Sequence, residues 1–106
     1  MSSNYHPDYW VVVKVPFEGA LQYRVLGAWS GGFIYGNGWR LSSPVAKIFK
    51  DGDYYNFENE SGSCYRCHKD MYGLHFGSVG TYEKLKSEHQ AEMLDEDTEW
   101  ESLCVS

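Results

Sequence analysis

Long apolar runs are missing from this sequence. The longest, residues 9–13, holds five residues, against the roughly 20 that a helix needs to cross a bilayer. The opening Met1-Ser2-Ser3-Asn4-Tyr5-His6-Pro7-Asp8 has neither the basic region nor the apolar stretch of a secretory signal. Neither a membrane nor export is therefore expected. Cysteine is sparse and odd in number, at three, so the thiols are read as reduced, in a cytoplasm. Asn59-Glu60-Ser61 matches the glycosylation sequon, which has no consequence without export. Clusters of Lys and Arg are also missing. Nine such residues are scattered among fifteen Asp and Glu, for a net charge of −6. Binding to a phosphate backbone needs several cations converging, so nucleic acid is not an expected partner. There is no internal repeat and no long linker.

What is abundant is aromatic. Nine Tyr, five Phe and four Trp make up 17% of the 106 residues. Such side chains give large contact areas with few rotatable bonds. They either fill a thin core or form an exposed binding surface. The length suits one domain that can bury a core without staples. Charge is uneven: residues 88–101 hold seven acids and no Lys or Arg, leaving eight acids against nine cations elsewhere. A run of this kind is usually solvated, so residues 95–106 are expected to be a loose acidic tail.

Tyr9-Trp10-Val11-Val12-Val13-Lys14-Val15 is β-branched and aromatic, hence a strand. Pro16-Phe17-Glu18-Gly19 has turn chemistry, and Leu21, Tyr23 and Val25 alternate beyond it, so the pair reads as an antiparallel hairpin. Residues 27–38 carry five glycines among Trp29, Phe33 and Tyr35. A short strand from Trp39 closes at Ser42-Ser43-Pro44. Residues 45–50 and 53–58 flank Asp51-Gly52, a two-residue hairpin signal. Residues 63–68 and 72–76 read as two more strands. Thr81 resembles an N-cap, and Tyr82, Leu85, His89 and Met93 recur at helical spacing, so a helix is expected to about Leu94. The expectation is an α+β fold: an antiparallel β-meander of six or seven short strands, as an open sheet or a partly closed barrel, with one C-terminal helix. Residues 1–94 would be the single β-rich domain and residues 95–106 the tail.

The sharpest chemical motif is Cys64-Tyr65-Arg66-Cys67-His68. As text it matches the attachment motif of c-type haem, which needs export and a helix start. Zinc could draw on Cys64, Cys67, His68, His75, His89 and Cys104. A chelating Cys-x-x-Cys sits on a tight turn, whereas on a strand residues three apart face opposite ways. A strand would put Cys64, Arg66 and His68 on one face, Tyr65 and Cys67 on the other. A thiol nucleophile pairing Cys64 with His68 or His75 lacks any supporting flank. Gly31-Gly32 and Gly36-x-Gly38 do not match a phosphate loop. No catalytic residue, cofactor or metal is expected, and the chain is read as not an enzyme. The Gly/aromatic stretch remains, with Trp29, Phe33, Tyr35, Trp39 and Arg40 as candidate partner-binding residues, because aromatics and Arg are the usual interface anchors.

Trp29-Ser30-Gly31-Gly32-Phe33, Gly38-Trp39-Arg40-Leu41-Ser42-Ser43, Asp53-Tyr54-Tyr55 and Ser61-Gly62-Ser63-Cys64-Tyr65-Arg66-Cys67-His68-Lys69 together resemble a group of small, mostly uncharacterised accessory proteins encoded by tailed bacteriophages. The likeness covers roughly residues 9 to 77. Pro44 and the long acidic end depart from it, and in the group the position of Cys64 is not reliably Cys. The resemblance implies a protein acting in the host cytoplasm, with no catalytic residue to carry over. The expected function is non-enzymatic binding of a host protein, such as a defence component, by a monomer or small homo-oligomer. The alternatives are a small-molecule- or zinc-binding domain around Cys64, Cys67 and His68, and a nucleic-acid charge mimic acting through the tail.

Overall fold

Strand-forming segments separated by tight turns dominate, and the computed structural model of residues 4–29, 38–74 and 76–103 follows them. In chain order the elements are β1 (Asn4–Tyr5), β2 (Tyr9–Phe17), β3 (Ala20–Ala28), β4 (Trp39–Leu41), β5 (Val45–Asp51), β6 (Tyr54–Asn59), β7 (Cys64–His68), the helix α1 (Phe76–His89) and β8 (Glu92–Met93), then one 3-10 turn over Trp100–Ser102. The architecture is mostly β with one helix among the described residues, and the sheets are open. That helix is not long and apolar enough to cross a membrane.

The expected single meander is two. One sheet has the order β4-β3-β2-β8 and the other β1-β7-β6-β5. The chain changes sheet between β4 and β5, where Pro44 interrupts the ladder. Two-residue strands extend each meander: β1 pairs parallel to β7, and β8 pairs antiparallel to β2. Neither carries a sequence signal, because two residues cannot show a period.

The apolar run Val11-Val12-Val13 lacks alternation because β2 is covered on both faces, as in other sheets buried on two sides. Trp10 and Val12, with Val25 of β3, face the other sheet and meet Val45, Phe57, Tyr65 and Cys67. Val11, Val13 and Leu26 face the other way, toward Tyr82 and Leu85 of α1. The layers are therefore sheet, sheet, helix. Gly27 lies under the connection between β1 and β2: a Cβ there would sit 2.9 Å from the Pro7 Cβ, so only glycine fits. The β2–β3 hairpin turns on Glu18 (φ +50°) and Gly19 (φ +80°), the two positive angles of a type I′ turn. At the β5–β6 hairpin the loop is Gly52-Asp53, one residue later than expected, with Asp51 opposite Tyr54.

Three expectations at the C-terminal side are corrected. Residues 72–74 form no strand: Tyr72 makes one isolated bridge to Trp10, and α1 starts at Phe76. Thr81 therefore lies inside the helix. The helix also stops early, at His89, where Gln90 adopts φ +59° and the Ala91 amide returns to the Leu85 carbonyl at 3.2 Å. It is thus not the last element of the fold. Met93, expected on the helix, instead pairs with Val13 in β8. Residues 95–103 are not loose. Trp100 is 2% exposed, with its ring 5.3 Å from those of Trp10 and Tyr72 and 6.0 Å from Phe57. The Tyr72 hydroxyl accepts from the Val12 amide and donates to the Leu94 carbonyl, pinning the start of this segment. Trp100 does not hold the segment alone: Leu94 and Leu103 pack on the same core, and the Leu94, Thr98, Ser102 and Leu103 amides are hydrogen-bonded to backbone carbonyls.

Candidate functional site

The candidate residues separate when placed on the fold. Phe33 and Tyr35 lie outside the described residues. Trp29 is half-buried at the end of β3, its indole N–H donating to the His6 carbonyl (3.0 Å) and its ring set edge-on to Tyr5 (6.5 Å). Trp39 packs on the helix-side core beside Leu41. Arg40, between them on β4, points to the opposite face because side chains alternate along a strand. Trp39 therefore serves the core, and Arg40 is left exposed at the junction of the sheets.

There Arg40 meets residues the sequence did not single out. Its guanidinium lies 4.6 Å from the ring centroid of Tyr5, a cation–π stack. The Tyr5 ring is in turn 5.0 Å from that of Tyr65, since β1 pairs Tyr5 with Tyr65 of β7. All fifteen acidic side chains of the protein are among the described residues. The ion pairs there are Lys14–Glu92, Arg66–Asp51 and Lys69–Asp70; no side-chain carboxylate neutralises Arg40. A cleft of about 180 Å³ opens beside it, lined by Tyr5, Arg40, Tyr65, Ser43, Ser61 and Ser63 among others.

The serines are linked. Ser43 donates to the Ser61 hydroxyl (2.8 Å), which lies 3.2 Å from the Ser63 hydroxyl, and Asn59 Nδ2 donates to Ser63 (2.9 Å). The Ser61 amide donates back to Ser43 (3.3 Å). Neighbouring Ser42 is structural: it is buried, accepts from the Val25 amide and donates to the Ser43 carbonyl. Burial pushes the Tyr65 phenol up to about 12 although the Arg40 cation beside it pulls the other way. Tyr65 therefore keeps its proton across the physiological range.

The cysteine motif does sit on a strand, as expected. Tyr65 and Cys67 point into the core, while Cys64, Arg66 and His68 point outward. One ion cannot take both sulfurs from opposite faces. Burial raises both thiols above the usual range, Cys67 strongly, and Glu58 adds to the rise at Cys64. Arg66 pairs with Asp51 (2.9 Å) and stacks on Tyr54, and His68 lies edge-on to Tyr54. His75 and Cys104 lie outside the described residues, and His89 ends α1. Among the described residues no three His, Cys, Asp or Glu side chains are grouped as metal ligands.

Comparison with protein-family models, with curated proteins and with solved structures finds no match to this chain.

Proposed function

We propose that this chain is a non-enzymatic binding protein that works by contact with another protein. The carrying observation is Arg40, exposed at the sheet junction, stacked on Tyr5 and without a carboxylate partner among the described residues. A guanidinium held against an aromatic plane has lost part of its rotamer freedom before binding, which is what an interface anchor needs. Trp29 beside Tyr5 adds apolar area to the same edge. The resemblance to small tailed-phage proteins makes a host factor in the host cytoplasm the expected partner.

The test is capture from a lysate of the bacterial host. Wild-type protein is expected to retain one stoichiometric partner, and Arg40→Ala to weaken retention about tenfold or more. Equal capture by Arg40→Ala would remove the reading. Trp39→Ala is the wrong probe, since its loss reports on the core.

A second reading, charge mimicry of nucleic acid, is favoured by one observation. Trp100 fixes the segment that carries Asp95, Glu96, Asp97, Glu99 and Glu101, all exposed, so these charges stand at defined positions instead of on a loose tail.

A further inference from the structure

We infer that the Arg40 cleft is an oxyanion site that takes a phosphoryl group. The inference rests on the reading of the Arg40 edge as a contact surface and names the chemistry that edge recognises.

Three kinds of donor line one small cleft. Arg40 supplies a forked cation, the group best matched to phosphoryl oxygens. Tyr65 supplies a phenolic O–H for which no acceptor is found among the described residues. The serines supply a third by proton counting. Ser43, Ser61 and Ser63 carry one hydroxyl proton each. Ser43 gives its proton to Ser61, and one more proton lies between Ser61 and Ser63. If Ser63 donates there, Ser61 keeps a free O–H; if Ser61 donates, Ser63 keeps it. Asn59 only donates to this chain of hydroxyls, through Nδ2, and the Ser61 amide only donates to Ser43. With Asn59 presenting Nδ2 to Ser63 and its buried Oδ1 unpartnered, one serine proton is left without an acceptor among the described residues that line the cleft.

A cation together with spare O–H donors asks for an acceptor-rich anion. The donors come from both sheets, Arg40 from β4 and Tyr65 from β7, with the serines in the turns after β4 and β6. Donors spread around a cleft suit the several oxygens of a tetrahedral group better than the two coplanar oxygens of a carboxylate. The volume, about 180 Å³, limits the ligand to such a group with little attached inside the cleft. That ligand is either free phosphate or a phosphate monoester carried on a larger molecule.

Titration of the whole chain with inorganic phosphate, phenyl phosphate and acetate, followed by backbone amide NMR shifts, tests this. Saturable shifts at residues 40–43 and 61–65 with either phosphate probe, and weaker binding of acetate, are the expected result. Tighter binding of phenyl phosphate assigns the site to a monoester, and tighter binding of inorganic phosphate to the free ion. Arg40→Gln should weaken phosphate binding about tenfold or more, Arg40→Lys less, and Arg66→Gln, on the outer face of the other sheet, not at all. Ser61→Ala, with a normal unfolding midpoint, should weaken it severalfold. Acetate binding as tightly as phosphate, shifts that never saturate, or an Arg40→Gln protein that binds as wild type would overturn the inference. The two readings fail separately: partner capture that depends on Arg40 but is indifferent to competing phosphate sinks the oxyanion site and leaves the contact surface standing.

Discussion

Tyr65 is 1% exposed, yet its hydroxyl lies at the wall of a polar cleft beside a guanidinium. The competition between burial and charge has a measurable sign. The folded phenol titrates at about 12 against the usual 10, so the fold prefers the protonated form. Below pH 10 both states keep the proton and the contribution is whole. Between pH 10 and 12 the unfolded chain gives up its proton first, and stability falls. Urea unfolding from pH 9 to 12 should therefore show a steeper loss for wild type than for Tyr65→Phe; equal slopes would mean that Tyr65 is not held protonated by the fold. Arg40 teaches a different lesson at the same scale. The sequence placed Trp39 and Arg40 in one candidate surface, but neighbours on a strand cannot share a face, and the residues that meet Arg40 come from β1, β7 and two turns. Ser43 and Ser61 read only as turn residues, and Ser63 as the first residue of a strand. No spacing rule links them, because their proximity is created by the meeting of two sheets.

Among the elements, the hairpin at Glu18-Gly19 carries a visible strain. Glutamate sits at φ +50°, a conformation that asparagine or glycine adopts far more readily. Glu18→Asn, which creates an Asn-Gly turn, should raise stability by about 0.5–1 kcal/mol. A thermal midpoint unchanged or lowered in calorimetry would show that the turn is not strained. The long strands β2, β3, β5, β6 and β7 were legible because apolar alternation, β-branched residues and turn signals agree on them. The split of Cys64 from Cys67 followed from that legibility. The helix was legible in its second half only. Tyr82 and Leu85 show its period, but its first turns contain Gly77 and Gly80, weak helix formers whose helical state comes from packing and not propensity. β1 and β8 were illegible, since each is held by its neighbour's ladder and by nothing in its own two residues.

For the molecule as a whole, the decisive departure from expectation is Trp100. Residues 95–106, with five acids and no Lys or Arg, read as solvated tail, and one buried indole among them overrides that reading. Core and charge can be separated by experiment. Trp100→Ala should cost about 3–5 kcal/mol, a large part of the 5–15 kcal/mol that holds a domain of this size together, and deleting residues 95–106 should unfold it. Converting Asp95, Glu96, Asp97, Glu99 and Glu101 to their amides should leave stability within about 1 kcal/mol, because these side chains are exposed and make no ion pair among the described residues. Circular dichroism with urea titration decides both. A stable truncated chain would mean that the indole is not part of the core, and an unfolded amide variant that the charges are. Only the amide variant can test charge mimicry, since truncation removes fold and charge together.

The same burial bears on how the chain avoids sticking to itself. Trp10 and Trp100 stand far apart in the sequence and meet in one cluster, and β1 must find β7, with Tyr5 pairing Tyr65. Contacts this distant close slowly. Until they close, Trp10, Phe57 and the strand edges are open to other copies. Glu99 and Glu101 flank Trp100, and three more acids precede it. They are gatekeepers in the sense used for aggregation-prone segments: like charge keeps copies of this segment apart until its indole finds the core.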